Sequence, residues 1–261
     1  MFAPFAFKQE VAAAAPAPEV GYGTPPSQNA NCVIFYDIGN PASYPGSGTT
    51  VTDLKGNGNG TLTGNGWSYD GSVVLGVLDQ AGKGTNNRYV SLNPGFSAFT
   101  GTSFEFLWRN DQTLSSDNAF SRWEAGSGYS DTLWETNIQQ YGGGPPNRLY
   151  GDAVSEQGTN ADDITYAWTP SLNSWYHIVW TMEQGGNFKA YINGANVGTS
   201  GNTFGGSDTF LWDAVGSIYG SNNYVGGNWV GQWASFRMYD VALSAAEVTA
   251  NYNYYGTVVT F

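Results

Sequence analysis

The acidic side chains are the first residues with chemical potential, because hydrolysis of a glycosidic bond needs two carboxylates that face one cleft. Glu105 lies in an alternating segment, where Leu107 and Arg109 follow it on the same face. Neither Glu124 nor Glu135 has an acidic residue two positions further on. The spacing along the chain thus shows no hydrolytic pair. We therefore expect a protein that is not an enzyme.

Aromatic side chains offer a second kind of chemistry, since they make up 16% of the chain, more than a core needs. Several rings lie in segments rich in Gly, Asn and Ser, where a flat ring can stack on a sugar while nearby amides hold its hydroxyl groups. The alternative is that these rings pack at the rim of the core, and the apolar pattern does not separate the two. The residues predicted to bind carbohydrate are Tyr129, Trp134, Tyr141, Tyr219, Tyr224 and Trp229.

One short segment has metal-binding potential. Asp53, Asn57 and Asn59 offer hard oxygen atoms at close spacing, the ligand type that calcium prefers. Because only one of the three is charged, a turn in which these side chains bond to their own backbone is the favoured alternative. His177 is the only histidine and is predicted to be a hydrogen-bonded structural residue. No cofactor other than calcium is expected.

The hairpin between residues 175 and 198 is the strongest predicted element. Its first strand, WYHIVWTM, is apolar on both faces and is therefore expected in the middle of a sheet. In its second strand Lys189 and Tyr191 alternate with apolar residues, which predicts that their face meets water. Asn193 and Gly194 then suit a type I′ turn, and a short strand should follow them.

The remaining elements are short. Near the end of the chain Ser244 and Glu247 form a capping box, which predicts a helix that continues to about Tyr252. Residues 257–261 are expected to add a final strand. Further strands, each a short apolar or alternating run bounded by turn residues, are predicted at 33–37, 73–78, 88–92 and 103–109.

Three segments resemble a single family. The hairpin carries a Trp-Tyr-His-aliphatic strand and then a Tyr-x-Asn-Gly turn, and segments 52–62 and 229–252 show the other two resemblances. The family is that of the concanavalin A-like, laminin G-like jelly rolls. The resemblance covers most of residues 31–255 and implies an all-β fold there: a two-sheet antiparallel jelly-roll sandwich with one short helix in the C-terminal region. The extended N-terminal arm of the predicted fold lies outside the resemblance.

The chain also departs from this family. Some members are glucanases, whose catalytic strand carries Glu-x-Asp-x-x-Glu, and that motif is absent from this sequence. In the closing segment the chain keeps Gly231, Arg237 and Tyr239 of the family pattern but has Ala234 and Ser235 where the family usually has an acidic pair. Any role of those two acids therefore does not carry over to this chain.

Two regions are predicted along the chain. Residues 31–261 form the jelly-roll domain, and residues 1–30 form an extended arm rich in Pro and Ala. Phe2, Phe5 and Phe7 near the tip of the arm are side chains that a solvated linker does not need. They are therefore predicted to anchor the arm on a partner chain. A flexible tail is the alternative.

Charge and cysteine content exclude several function classes. The chain has 9 Lys and Arg residues against 21 Asp and Glu residues, which gives a net charge of -12. Binding to nucleic acid is therefore not expected. No stretch is apolar for long enough to insert into a membrane, and the N-terminus lacks the pattern of a signal peptide. Cys32 is the single cysteine, which rules out an internal disulfide. The protein is expected to be made in the host cytoplasm and to leave it without a signal peptide.

These expectations together predict a non-enzymatic structural protein at the surface of a virus or phage particle, such as a decoration, fibre or capsid-associated protein. Its arm would dock on other virion proteins. Its jelly roll would face outward for adhesion to cell-surface glycans or for stabilisation of the shell. A freestanding, extracellular, lectin-like protein that binds carbohydrate is the alternative, and a glycoside hydrolase of the same fold is the third.

Overall fold

The structure of the chain is a computed structural model. The residues that it describes are 30–63, 67–73, 75–80, 89–92, 99–111, 118–124, 133–139, 148–153, 155, 159, 161, 164–210, 214–215 and 231–261. Within these ranges the chain folds into strands and one short helix, so the predicted all-β class is confirmed. The helix in this part of the chain is neither long nor apolar enough to span a membrane.

The elements follow one another in a simple order along the described residues. The first eight strands are β1 Cys32–Asp37, β2 Thr50–Val51, β3 Gly60–Thr63, β4 Trp67–Asp70, β5 Val77–Gln80, β6 Tyr89–Leu92, β7 Gly101–Asn110 and β8 Asn118–Glu124. The next eight are β9 Leu133–Gln139, β10 Arg148–Ala153, β11 Ile164–Ala167, β12 Ser174–Glu183, β13 Asn187–Ile192, β14 Ala195–Thr203, β15 Ala214–Val215 and β16 Gln232–Tyr239. The helix, α1, is Ala245–Tyr255.

The strands form two layers. One layer is an eight-stranded sheet in the order β14-β13-β12-β7-β16-β5-β4, with β1 also paired to β16. The other layer consists of two four-stranded sheets, β11-β10-β9-β8 and β15-β6-β3-β2. Neighbouring strands in all three sheets are antiparallel. The predicted antiparallel jelly-roll sandwich is therefore confirmed.

The main core fills the space between the two layers. Phe106 and Trp180 of the large sheet pack there with Leu149 of β10. Trp180 and Phe188 stack with their ring centroids 5.1 Å apart. A Cβ atom at Gly151 would come within 2.5 Å of the Trp180 ring, so only glycine lets β10 approach the stacked rings this closely.

The predicted hairpin is present and lies inside the large sheet. β12 pairs with β7 along its whole length and with β13 on its other edge, as expected for a strand with two apolar faces. Asn193 and Gly194, between β13 and β14, have φ angles of 49° and 79°. A type I′ turn needs a positive φ at both positions, so the predicted turn is confirmed.

The helix covers the outer face of the large sheet. The Ser244 Oγ accepts a hydrogen bond from the Glu247 backbone N–H at 3.3 Å, and the Glu247 Oε2 accepts one from the Ser244 N–H at 2.7 Å, which confirms the capping box. Val248 of the helix and Tyr191 of β13 are buried in one cluster. The prediction that the face of Tyr191 meets water was wrong, because the helix covers it and leaves it 3% exposed.

Two predicted strands differ from the structure. Residues 257–261 form turns that continue from α1, where the Val258 N–H donates to the Tyr255 carbonyl at 2.8 Å. The strand predicted at 73–78 begins only at Val77, because the Gly76 N–H donates to the Val73 carbonyl and Gly76 has a φ of 55°. In both cases buried apolar residues of a turn have the pattern of a short strand.

Candidate functional site

Most rings predicted to bind carbohydrate lie outside the described residues. Trp134 belongs to β9, where its backbone pairs with Trp123 on one side and Ala153 on the other. All six assignments therefore stay predictions. Those outside the described ranges are Tyr129, Tyr141, Tyr219, Tyr224 and Trp229.

The strand ends that flank these segments are described. β7 ends at Asn110, opposite the start of β12 at Ser174, and β16 begins beside them at Gln232. β11 also ends on this side, because residues 168–173 connect it directly to β12. We call this side of the sandwich the Asn110 end.

Two further strands meet at the Asn110 end. β9 ends at Gln139 opposite the start of β10 at Arg148, beside the last residue of β11. The five predicted rings outside the described ranges fall between these and other strands in the sequence alone.

A cluster of three described rings closes the core at the Asn110 end. Trp168 meets Tyr176 with centroids 4.9 Å apart and planes at 86°, and its centroid lies 6.4 Å from that of Trp108. Trp108 and Tyr176 face each other from neighbouring strands at 5.9 Å. Trp108 is buried, whereas Trp168 and Tyr176 are partly exposed. The cluster therefore presents ring surface to solvent at the edge of the core.

The loop at residues 168–173 is tied to the strands on either side of it. The Asn110 Nδ2 donates to the carbonyls of Pro170 and Ser171 at 3.1 and 3.3 Å. The Asn173 N–H donates to the Asn110 carbonyl at 2.5 Å, and the Ser171 N–H donates to the Tyr176 hydroxyl at 2.7 Å. A ligand that binds here finds the loop already ordered, which removes part of the entropic cost of binding.

The proposed calcium ligands form a closed turn. The Asn59 Oδ1 accepts a hydrogen bond from the Asp53 N–H at 3.0 Å, and the Asn57 Nδ2 donates to the Val33 carbonyl at 2.8 Å. Both oxygen atoms of the Asp53 carboxylate accept two hydrogen bonds each. The four donors are the backbone N–H groups of Phe35, Lys55, Asn57 and Gly58, at 2.8, 3.0, 2.7 and 3.1 Å.

This turn has a structural use. Phe35 belongs to β1, and the Leu54 N–H donates to the Phe35 carbonyl at 2.9 Å. The turn therefore satisfies backbone groups on the edge of β1 that no strand pairs in the described sheets. Among the described residues, no group of three or more His, Cys, Asp and Glu side chains could hold a metal ion. The hydrogen bonds match the self-bonding turn that the sequence favoured.

Glu105, on the central strand β7, belongs to a buried polar network. Its Oε1 accepts a hydrogen bond from the Arg237 Nη1 at 3.0 Å. Its Oε2 accepts hydrogen bonds from the Tyr239 hydroxyl at 2.8 Å and from the Asn251 Nδ2 at 2.6 Å. All four side chains are at most 1% exposed. Because Asn251 belongs to α1, the network attaches the helix to the sheet, and the carboxylate is closed off from any substrate.

His177 lies beside this network and is fully buried. Its Nε2 is 3.5 Å from the Glu105 Oε1, longer than a strong hydrogen bond. Burial alone would raise the pKa of Glu105, but the contacts with His177, Arg237 and Tyr239 outweigh burial and hold the pKa at about 2. The burial of His177 fits the structural role predicted from the sequence, but neither ring nitrogen makes the predicted hydrogen bond to any of the described residues.

The stability of the fold is expected to fall in acid as Glu105 takes up a proton. Its pKa is about 2 in the folded chain against an ordinary value of 4.5. Because the folded pKa is the lower one, the ionised network stabilises the fold above the ordinary pKa, and this contribution of about 3 kcal/mol is lost as the pH falls to about 2. Urea unfolding across this range measures the loss. A Glu105→Gln chain with the same pH dependence as the wild type would contradict the assignment.

The described geometry defines a two-layer antiparallel β-sandwich with a helix on the outer face of the larger sheet and an aromatic cluster at one end. The family model of the concanavalin A-like lectin/glucanases superfamily, of laminin G type, matches residues 83–249. The chain therefore belongs to this superfamily, as the resemblance implied. No curated protein matches the chain.

Several solved structures are similar to the chain. One is domain 4 of AbnA, a GH43 extracellular arabinanase from Geobacillus stearothermophilus, which was solved with arabinotriose. It is 18% identical to this chain with a TM-score of 0.57, and the match covers 85% of this chain and 98% of the AbnA domain. The binding domain of botulinum neurotoxin DC, solved with SialylT, is 15% identical with a TM-score of 0.59, covering 86% and 51%.

A third similar structure is the binding domain of Paraclostridial Mosquitocidal Protein 1, with 18% identity and a TM-score of 0.60, covering 87% of this chain and 52% of that one. This chain thus spans about half the length of the two toxin domains. At these identities the likeness establishes the fold alone.

Sequence reasoning missed the partners of Glu105 and the cluster at the Asn110 end. Arg237 and Tyr239 stood out only as parts of a family pattern, without a contact assigned to them. One signal was available, because an acidic residue on a strand that is otherwise apolar is almost never buried without a cation. Trp168 was not singled out, since nothing in its local sequence shows that it contacts Trp108.

Proposed function

We propose that the protein is a non-enzymatic carbohydrate-binding module that is displayed on the surface of a virus or phage particle and attached there by residues 1–30. The observation that carries the proposal is the Asn110 end. A hydrogen-bonded loop holds partly exposed rings there. Ring surface on an ordered backbone suits the flat, apolar faces of sugars.

Two of the similar structures support a sugar as the ligand. The AbnA domain was solved with arabinotriose, and the neurotoxin domain was solved with SialylT. This chain covers 98% of the AbnA domain and 51% of the neurotoxin domain, so the AbnA structure gives the stronger support. The class that suits this chain has to come from its own residues.

The state of Glu105 supports a binding function over a hydrolytic one. Both oxygen atoms of this carboxylate accept hydrogen bonds from buried side chains. A glycosidase needs a pair of carboxylates that reach the substrate from either side of the bond. The register does set Glu135 opposite Asp152 across β9 and β10, so these two are the residues on which hydrolysis has to be tested.

The attachment to a particle rests on the composition of residues 1–30. Phe2, Phe5 and Phe7 are spaced by Ala and Pro in a segment with too little pattern to form a core of its own. Bound to a partner, they would act as apolar anchors. A freestanding lectin would have the same sugar site and would not use this segment.

The full chain is expected to bind on a glycan array that carries arabinan oligosaccharides and sialylated glycans, without release of reducing sugar. Display of many copies on a particle should strengthen the binding, because each further contact is then intramolecular. Residues 31–261 should bind the same glycans but should no longer be incorporated into the parent particle.

Two results would contradict the proposed function. If residues 31–261 are incorporated as well as the full chain, the arm is not the attachment, and a freestanding lectin becomes the better description. If the protein releases reducing sugar steadily and Glu135→Gln or Asp152→Asn abolishes the release, it is a hydrolase of the same fold.

A further inference from the structure

We propose that Tyr166 and Trp168 form a binding subsite for a neutral, linear oligosaccharide at the corner where β11 leads into β12. The inference rests on the proposed carbohydrate-binding function and assigns it two residues that the sequence pattern did not single out. Tyr166 lies in β11, and Trp168 is the first residue after that strand.

The exposure of Tyr166 points to this corner. The exposed large apolar side chains of the described residues are Tyr69, Tyr166 and Leu172, at 37%, 37% and 53%. Two of these three lie within seven residues of each other, on either side of Trp168. Tyr69 has a packing explanation, because its ring centroid lies 5.6 Å from that of Tyr44, and a Cβ atom at Gly46 would come within 3.0 Å of the Tyr69 ring. Within the described part of the chain, no ring contact of this kind involves Tyr166.

The spacing of the two rings suits a chain of sugars. Residues two apart in an extended strand lie on one side, about 7 Å from each other. Trp168 is held in place by Tyr176 and Trp108 behind it. The loop that follows is ordered by Asn110. The two rings therefore form a fixed apolar strip on which neighbouring sugar units can each meet one ring.

The residues around the strip select the kind of ligand. Residues 164–176 themselves contain no charged side chain and no histidine, and the whole chain has a net charge of -12. Two arginines adjoin this segment: the backbone of Arg148 pairs with Ala167, and the Arg109 Nε donates to the Asn173 carbonyl at 3.4 Å. Thr165, Thr169 and Ser171 are exposed and offer hydroxyl groups beside the rings. A nucleic acid would need a larger cluster of cations than two arginines in a chain of this net charge. Rings flanked by hydroxyl groups suit a neutral sugar, whose polar groups are hydroxyls as well.

The size of the strip argues against a protein as the occupant. A stable protein interface covers roughly 800 Å² on each partner, with a buried centre. The strip has two rings, with the exposed Leu172 at its border. Each of the two rings can meet one sugar unit.

Titration calorimetry with the full chain tests the subsite, with cellohexaose, laminarihexaose and arabinohexaose as neutral probes and hexagalacturonic acid as the charged one. At least one neutral probe should bind more tightly than the charged probe. Tyr166→Ala should weaken that binding about tenfold, the loss expected for one ring, while Tyr166→Phe retains it. Tyr69→Ala is the matched control, because the Tyr69 side chain has the same exposed fraction as that of Tyr166. Tyr69 lies on β4, four strands and roughly 19 Å from β12 in the large sheet.

Each other outcome is decisive. Unchanged affinity in Tyr166→Ala, or an equal loss in Tyr69→Ala, would overturn the subsite while the carbohydrate-binding function stands. The subsite is also overturned, and the carbohydrate-binding function retained, if the wild-type chain binds on the glycan array but prefers the charged probe or binds none of the neutral probes. If the wild-type chain binds no glycan in either experiment, the proposed function fails, and the subsite fails with it. Thermal unfolding of each variant shows that a loss of binding is not a loss of fold.

Discussion

Arg237→Met should lower the free energy of unfolding by about 3–5 kcal/mol, because it leaves the Glu105 carboxylate buried without its cation. The guanidinium also packs on aromatic rings, with its Cζ 4.5 Å from the Phe35 centroid and 5.0 Å from that of Tyr255. Methionine fills part of the volume but replaces neither contact. Guanidinium chloride unfolding at neutral pH measures the change.

Arg109→Met is the matched control for this substitution. Arg109 lies on β7, the strand of Glu105, is partly exposed, and donates to the Gln232 Oε1 at 3.1 Å. Its loss should cost no more than about 1 kcal/mol. The double variant Glu105→Gln/Arg237→Met should recover part of the stability, since no buried charge is then left alone. If Arg237→Met unfolds at the same denaturant concentration as Arg109→Met, the network does not stabilise the fold.

Asp53→Ala should lower the free energy of unfolding by about 2–4 kcal/mol, because four backbone N–H groups lose a charged acceptor. The Asp53 side chain is 3% exposed, so water replaces the lost hydrogen bonds poorly. The edge of β1 depends on this turn, and thermal or urea unfolding of the variant should show the loss.

The control for Asp53 is Asp70→Ala. Asp70 accepts from the Ser72 N–H at 2.8 Å and from the Ser72 hydroxyl at 2.6 Å in an exposed turn, so its substitution should change stability little. A second measurement tests for calcium binding at this turn. If the turn is stable without a metal ion, adding EDTA or calcium should leave the unfolding of the wild-type chain unchanged. Stabilisation by calcium that disappears in Asp53→Ala would instead establish a metal site.

The elements whose signals are local could be predicted from the sequence. The alternation in residues 175–198 and the Asn193-Gly194 pair specify a hairpin, because the pleat and the turn each depend on a few neighbouring residues. The same is true of the Ser244 and Glu247 capping box. The self-bonding turn at Asp53 was also readable, since Asp and Asn bond to backbone groups a few residues away.

What packs against each face of a strand could not be predicted from the sequence pattern. Tyr191 has the pattern of a residue on a water-exposed face, yet α1 covers it from more than fifty positions further along the chain. Residues 257–261 look like a strand but pack as turns against the sheet. Alternation reports which side chains share a face, and it does not report what lies on that face.

The candidate site depends on contacts between distant residues. Glu105 and Arg237 are 132 positions apart, and the register of β7 and β16 sets them opposite each other. Asn110 orders a loop some sixty positions away. By itself the sequence determined the hairpin, the capped helix, the turn at Asp53 and some of the short strands, because their signals are local. Only the tertiary structure decided that Glu105 is closed off from substrate and that Trp168 closes the core beside an exposed Tyr166, because strand register and layer packing bring these residues together.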